Sequence, residues 1–268
     1  MSFLTLEKIT HHYFSEQGFT KALDSVSFSI EEGEFISLLG PSGCGKSTIL
    51  SIIAGIIKPT EGKVKLEQQM IDLPSSEIGY MLQQDYLFPW KTILDNVLLG
   101  PKIRKTLSHD VQEKALSLLH EVGLKNVVTK YPPSLSGGMR QRAALVRTLI
   151  NHPKILLFDE PFSALDYQTK LKLEELVSTL LKSYKKTTVL VTHDISEAIA
   201  MSDRILVMGT NPGTISKVFE VPIEIRQEGP LFARRHPKFE ILFDKVWNEL
   251  DSREGNFPKK EAMTNNEV

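Results

Sequence analysis

The run Leu39-Gly40-Pro41-Ser42-Gly43-Cys44-Gly45-Lys46-Ser47-Thr48 closes an apolar stretch, Phe35-Ile36-Ser37-Leu38-Leu39, and opens a helix-compatible one. A G-x4-G-K-S string in that setting narrows the possible folds sharply. Its glycines let the backbone turn N–H groups inward around a polyphosphate, and the following helix directs its positive end at the same charge. Lys46 suits the β- and γ-phosphates of a nucleoside triphosphate, and Ser47 suits a Mg²⁺ ion. Gly40, Pro41, Ser42, Gly43, Cys44, Gly45, Lys46, Ser47 and Thr48 are therefore candidate binding residues.

Composition narrows the partners. At 268 residues the chain can bury a large α/β core. A formal charge of −1 and a pI near 6.7 give no global attraction to nucleic acid or anionic lipid, so no nucleic-acid partner is expected. The single cysteine lies inside the glycine loop, which fits a reducing cytoplasm. Neither a basic start followed by an apolar run nor an uninterrupted apolar stretch of spanning length is present, so nothing reads as secreted or membrane-spanning.

Periodicity predicts strands at Leu4–Ile9, Val26–Ile30 and Phe35–Leu39, a helix over 48–57, then strands at Gly62–Glu67 and Ile78–Leu82. Residues 84–150 change character. An aromatic loop, Gln84-Asp85-Tyr86-Leu87-Phe88-Pro89-Trp90, precedes helical patterns at Thr92–Leu99, Ser108–Val122 and Gly138–Ile150, which reads as an inserted helical subdomain. Alternating strand and helix resume at Ile155–Phe158, Tyr167–Tyr184, Thr188–Thr192, Ser196–Met201 and Arg204–Met208. Beyond a turn at Asn211–Thr214, Phe239, Leu242, Phe243, Val246, Trp247 and Leu250 recur at helical spacing and are expected to dock on the core. Residues 251–268 read as a disordered tail, and no internal repeat is evident.

Two more features bear on phosphate chemistry. Ile155-Leu156-Leu157-Phe158-Asp159-Glu160 is an apolar strand ending in two carboxylates, as when a buried parallel strand delivers acids to the carboxyl edge of a sheet. Asp159 there could complete a Mg²⁺ shell through water, and Glu160 could orient or deprotonate an attacking water. Leu135-Ser136-Gly137-Gly138-Met139-Arg140-Gln141 offers a second helix start with small residues and free N–H groups, but no lysine. His193 follows the apolar strand Thr188–Thr192.

Taken in this order, the motifs resemble the ATP-binding subunits of ABC transporters from about residue 3 to residue 210. The resemblance implies an α/β P-loop NTPase with a mixed sheet core, an N-terminal antiparallel β subdomain and an inserted helical subdomain at about 84–150. One ABC domain would then span 1–250, with a C-terminal extension at about 211–250. Gly40–Thr48 is similar to the Walker A loop, Ile155–Asp159 to the Walker B strand, Glu160 to the catalytic glutamate and Leu135–Gln141 to the family signature. Gln83, with Gln84 beside it, stands where the family has the Q-loop glutamine that senses Mg²⁺ and water. Ser163-Ala164-Leu165-Asp166 resembles the D-loop, His193 the switch histidine, and Tyr13 the adenine-stacking aromatic, with Phe14 and Phe19 as neighbouring candidates.

The resemblance further implies ATP and Mg²⁺ as ligands, with Ser47, Gln83 and Asp159 toward the metal. It implies a head-to-tail pair of subunits in which Ser136, Gly137 and Gly138 of one close over ATP held by Lys46 of the other. The segments Leu87–Val97, Pro212–Ile215 and His236–Phe239 are similar to the nitrate/sulfonate/taurine importer branch. Expected partners are transmembrane permease subunits and, indirectly, an extracellular solute-binding protein, with the chain peripheral on the cytoplasmic face of the membrane. Tyr86, Phe88 and Trp90 are the expected docking aromatics for a permease helix, burial within the helical subdomain being the alternative for Trp90. The competing class is a soluble ABC ATPase of the cluster-assembly type.

Overall fold

The computed structural model describes residues 2–16 and 18–254. Four strands are buried on both faces or nearly so, and their largely apolar or Thr/Val-rich sequences are what a covered parallel sheet requires. The large sheet has the order β10-β9-β3-β8-β7-β6, built from β3 (Phe35–Leu39), β6 (Ile78–Met81), β7 (Ile155–Asp159), β8 (Thr187–Thr192), β9 (Arg204–Gly209) and β10 (Thr214–Glu220). All neighbours in it are parallel except β10, which pairs antiparallel with β9 at the edge.

Alternation along β7 shows how the two faces are filled. Ile155 and Leu157 join the core with Ile49, Leu50 and Ile53 of α1 (Lys46–Ile53), while Leu156 and Phe158 turn to the opposite face with Leu173, Val177 and Leu181. Those last three belong to α6 (Tyr167–Ser183). On the α1 side a second, antiparallel sheet closes the core, with the order β2-β1-β4-β5 from β1 (Leu4–Ser15), β2 (Gly18–Ile30), β4 (Glu61–Leu66) and β5 (Gln69–Met70). β1 and β2 are much longer than simple alternation predicts, because register shifts at Leu6/Ile9, Ile9/His11 and His11/His12 interrupt the period-two pattern.

Between β6 and β7 lie α2 (Ile93–Val97), α3 (Leu99–Ile103), α4 (His109–Glu121) and α5 (Gly137–Leu149), which share a small core of Ile93, Val97, Leu118, Leu119, Ala143 and Val146. The single helix expected over Thr92–Leu99 is two short helices that meet at Leu98. After β8 come α7 (Ile195–Met201) and, beyond β10, α8 (Ile223–Gln227), α9 (Pro230–Ala233) and α10 (Pro237–Glu254). α8 and α9 went unpredicted.

α10 buries Phe239, Leu242 and Val246 against α7 and β9. Phe243 and Leu250 are only partly covered, and Trp247, expected to dock, is 51 % exposed and stacks on Phe243. The helix also carries residues 251–254, which were expected in the tail, and the rest of that tail, 255–268, lies outside the described residues.

Candidate functional site

The carboxyl ends of β3, β7 and β8 lie side by side because these strands are parallel neighbours, so whatever follows them converges on one edge. β3 leads into the glycine loop. Gly45 caps α1 in the left-handed region at φ 95°, where a Cβ would stand 2.6 Å from Leu23 Cδ2, so glycine alone fits there. No side chain caps α1, which leaves its first N–H groups available to a ligand. Lys46 is buried and its ammonium donates to the carbonyls of Gly40 at 2.7 Å and Pro41 at 2.8 Å. Cys44 is buried beside it, and burial pushes its thiol pKa up, so this cysteine is inert packing.

A cavity of about 420 Å³ opens over the loop, lined by Ser42, Gly43, Gly45, Lys46, Ser47 and Thr48, by Glu160, by Tyr13 and by Asn211–Gly213. Tyr13 hydroxyl lies 3.2 Å from Thr48 Oγ1, while Phe14 and Phe19 are exposed and contribute nothing to the lining. The Asn211–Gly213 wall was not foreseen. Gly213 makes it possible: its N–H donates to Ala22 O, Asp24 N–H donates to Gly213 O, and a Cβ there would stand 2.2 Å from Cys44 O. Glycine and proline in that turn were legible, but its partner across the chain was not.

Ser47 Oγ donates to Asp159 Oδ1 at 3.0 Å. Asp159 also accepts from the Tyr80 hydroxyl at 3.4 Å, a contact unpredicted from sequence. Burial, with the neighbouring Glu160 adding to it, raises the Asp159 pKa, and burial beside Asp159 pushes the Tyr80 phenol up to about 12. Ser47 and Asp159 supply only hard oxygens, and among the described residues no group of three or more His, Cys, Asp or Glu could hold a metal unaided. That donor set fits Mg²⁺, which keeps waters and substrate phosphates in its shell.

Glu160 sits at φ 47°, an unfavourable backbone for a non-glycine residue, and its N–H donates to Val191 O at 3.0 Å, pinning the turn to β8. Glu160 Oε2 is 3.1 Å from His193 Nδ1, which brings the residues after two strands into contact. Gln83 is not among the cavity-lining residues; its amide donates to Ser163 Oγ at 3.2 Å, and Ser163 Oγ in turn donates to Glu160 O. The structure thus joins Gln83 to the Ser163–Asp166 turn rather than to Ser47.

Ser136 caps α5, its hydroxyl accepting from Met139 N–H, and Gly138 packs on Thr169 so closely that a Cβ would stand 2.5 Å from its methyl. Neither Ser136, Gly137 nor Gly138 lines the cavity over Lys46. From α5, Gln141 Nε2 donates to Gln83 O, Arg140 pairs with Asp85 at 3.0 Å, and Arg147 donates to the carbonyls of Asp85 and Tyr86. The loop held this way exposes Tyr86 and Trp90, whereas Phe88, expected to be exposed with them, is half-buried against Trp90 with ring centroids 5.2 Å apart. Asn96 is fully buried beneath it, accepting from Phe88 N–H and donating to the carbonyls of Phe88, Lys91 and Thr92.

A lysine-bearing phosphate loop beside a Ser–Asp oxygen pair and a Glu–His pair is equipped to bind and hydrolyse a nucleoside triphosphate. Comparison with known proteins agrees. The family model described as ABC transporter matches residues 23–163. The Bacillus subtilis (strain 168) protein named "Uncharacterized ABC transporter ATP-binding protein YtlC" is 57 % identical over 254 residues, 95 % of this chain and 98 % of that one. The taurine import ATP-binding protein TauB of Roseobacter denitrificans is 39 % identical, over 85 % of this chain and 87 % of its own. Among solved structures, the dimeric post-hydrolysis state of the ATP-binding cassette MJ0796 bound to ADP and Pi superposes with a TM-score of 0.72 at 36 % identity, covering 82 % of this chain and 99 % of that one. The chain belongs to the ATP-binding subunits of ABC transporters, as an ATPase of the importer type.

Proposed function

We propose that this subunit energises uptake of a small solute of the sulfonate, taurine, nitrate or thiamine-precursor kind, working as a head-to-tail pair with ATP at the interface. The observation that carries the reading is the separation of two anion-ready helix starts: α1 opens at the Lys46 cavity, and α5 opens at Ser136, away from it. Two such half-sites on one chain are satisfied when a second copy faces the first, and the MJ0796 cassette was solved as a dimer.

In that arrangement Lys46 and the N–H groups of the glycine loop bind the β- and γ-phosphates, and Tyr13 stacks on the adenine ring. Ser47 and Asp159 hold Mg²⁺, which when bound neutralises charge on the phosphates. Glu160 accepts a proton from, and orients, the attacking water. His193 holds Glu160 in place and reaches the γ-phosphate oxygens. Gln83, set beside Ser163, reports the state of the site to the loop carrying Tyr86 and Trp90, through Gln141 and Arg140 on α5.

That loop, within the helical region 84–150, is the docking surface for a permease helix on the cytoplasmic face of the membrane, with a solute-binding protein acting on the far side. Among the described residues no helix is long and apolar enough to cross a membrane. Affinity capture of the tagged chain from solubilised membranes, followed by reconstitution with what it retains, tests the proposal. Recovery of a polytopic partner and ATP-driven accumulation of taurine, an alkanesulfonate, nitrate or a thiamine precursor is the expected result. Capture of soluble proteins alone would refute it.

A further inference from the structure

Behind His193 lies a buried set of charges that the hydrolytic site does not use. Lys170 of α6 points its ammonium at Asp194 Oδ2, 2.7 Å away, and at Glu197 Oε2, 2.8 Å away. Asp194 caps α7 by accepting from Glu197 N–H, and its own N–H donates to Thr192 Oγ1, so these contacts define the turn that carries His193. A third carboxylate, Glu174, is wholly buried one helical turn along α6, with Oε1 at 3.9 Å from Lys170 and without a hydrogen bond. Its other oxygen accepts from Arg234 Nη2 at 2.6 Å. Arg234 ends α9, in the extension beyond β10, and is itself only 14 % exposed.

Three carboxylates thus share two cations, Glu174 and Glu197 out of water and Asp194 at the solvent edge. Burial raises the Glu174 pKa and lifts that of Glu197 to about 7, while the neighbouring cations act in the opposite direction on both. A buried carboxylate that stays ionised after losing its cation is drawn to the next one in reach, because the uncompensated charge is costly there. For Glu174 that is Lys170, whose ammonium is already 3.9 Å from Oε1 and closes on it at the expense of its contacts to Asp194 and Glu197.

We propose that Arg234 is a positioning residue for ATP hydrolysis: by engaging Glu174 it frees Lys170 to fix the Asp194 turn, and so the imidazole of His193 against Glu160. The C-terminal extension, through this one guanidinium, then sets the rate at a site that it does not touch. This rests on the role proposed above for His193.

The test compares steady-state ATPase kinetics of the full-length chain. Arg234→Gln should lower kcat about tenfold while KM for MgATP stays within about twofold, because binding groups are untouched and only the pose of His193 changes. Arg234→Lys, which keeps the charge, should recover most of the rate. Adding Glu174→Gln to Arg234→Gln should also recover it, since an uncharged amide no longer draws Lys170 away; simple loss of packing would not be rescued so. Lys238→Gln, which breaks the exposed pair with Glu224 on the same extension, should leave kcat unchanged. An Arg234→Gln protein with wild-type kcat, or a double variant as slow as the single, overturns the inference. If Arg234→Gln does not fold, the double variant is compared with Glu174→Gln alone: equal kcat is expected, and a double variant about tenfold slower than Glu174→Gln overturns the inference. His193→Ala is assayed alongside: if it is inactive while Arg234→Gln is fully active, this inference alone falls, and if it is fully active, the role of His193 falls and takes this one with it.

Discussion

Glu160 and His193 meet across the ends of adjacent parallel strands, carboxylate oxygen to imidazole nitrogen at 3.1 Å, with Glu160 held at a positive φ by its N–H bond to Val191. The pair places a carboxylate, 21 % exposed, at the mouth of the phosphate cavity. Glu160→Gln preserves the shape and the hydrogen-bonding reach but cannot take a proton from water. Hydrolysis should fall by about 10²- to 10³-fold with ATP affinity kept, and ATP-bound dimers should accumulate. Single-turnover kinetics together with light scattering in ATP measure both, and wild-type turnover would remove Glu160 from the mechanism.

Lys46→Ala acts earlier in the cycle. The ammonium now satisfied by the Gly40 and Pro41 carbonyls is, in the proposed site, the charge that meets the triphosphate, so its loss should weaken ATP binding itself, by about tenfold or more. Calorimetric titration with ATP checks this, and unchanged affinity would contradict the loop assignment.

Asn96 predicts a stability effect away from the nucleotide. Its amide satisfies one backbone N–H and three carbonyls beneath the Trp90 loop, so Asn96→Ala strands buried polar groups and should cost about 2–4 kcal/mol. Urea unfolding measures the cost, and ATP affinity of the folded fraction should remain as in the wild type.

Trp90→Ala separates hydrolysis from transport. The indole is 69 % exposed and does not line the nucleotide cavity, so ATPase activity of the isolated subunit should persist while ATP-driven uptake by the assembled complex is lost. Uptake at wild-type rate with normal assembly would refute the docking role.

Glu197 carries a pH signature. Burial raises its folded pKa to about 7 from 4.5, so between those values the folded chain keeps a proton that the unfolded chain releases. Its contribution to stability is therefore greatest below pH 4.5 and declines as pH rises toward 7, in the company of Lys170, Glu174 and Asp194. Glu197→Gln should flatten this part of the stability profile, as followed by chemical denaturation across pH 5 to 8.

Much of this was legible in local pattern. The phosphate loop, the strand ending at Asp159 and Glu160, and the helix start at Ser136 each announce themselves within ten residues, because glycine, capping and burial preferences act over that range. What escaped detection depends on residues far apart. Tyr80 meets Asp159 only because β6 and β7 pair, and Arg234 meets Glu174 only because α9 lies on α6. Lys170 and Glu174 at i, i+4, with Asp194 three residues before Glu197, hinted at a charged seam but not at its burial. Trp247 misled because a helical stripe of apolar residues was wider than the surface available to cover it.

The turn at Asn211–Gly213 has a consequence for synthesis. Every residue that touches phosphate or water in the proposed reaction precedes position 194, yet the wall laid against Ala22 and Cys44 comes from residues 211–213. A nascent chain emerging from the ribosome therefore exposes its glycine loop long before the last side of the nucleotide pocket exists. The cavity over the loop is complete only once that turn has been translated and folded back over the first hairpin.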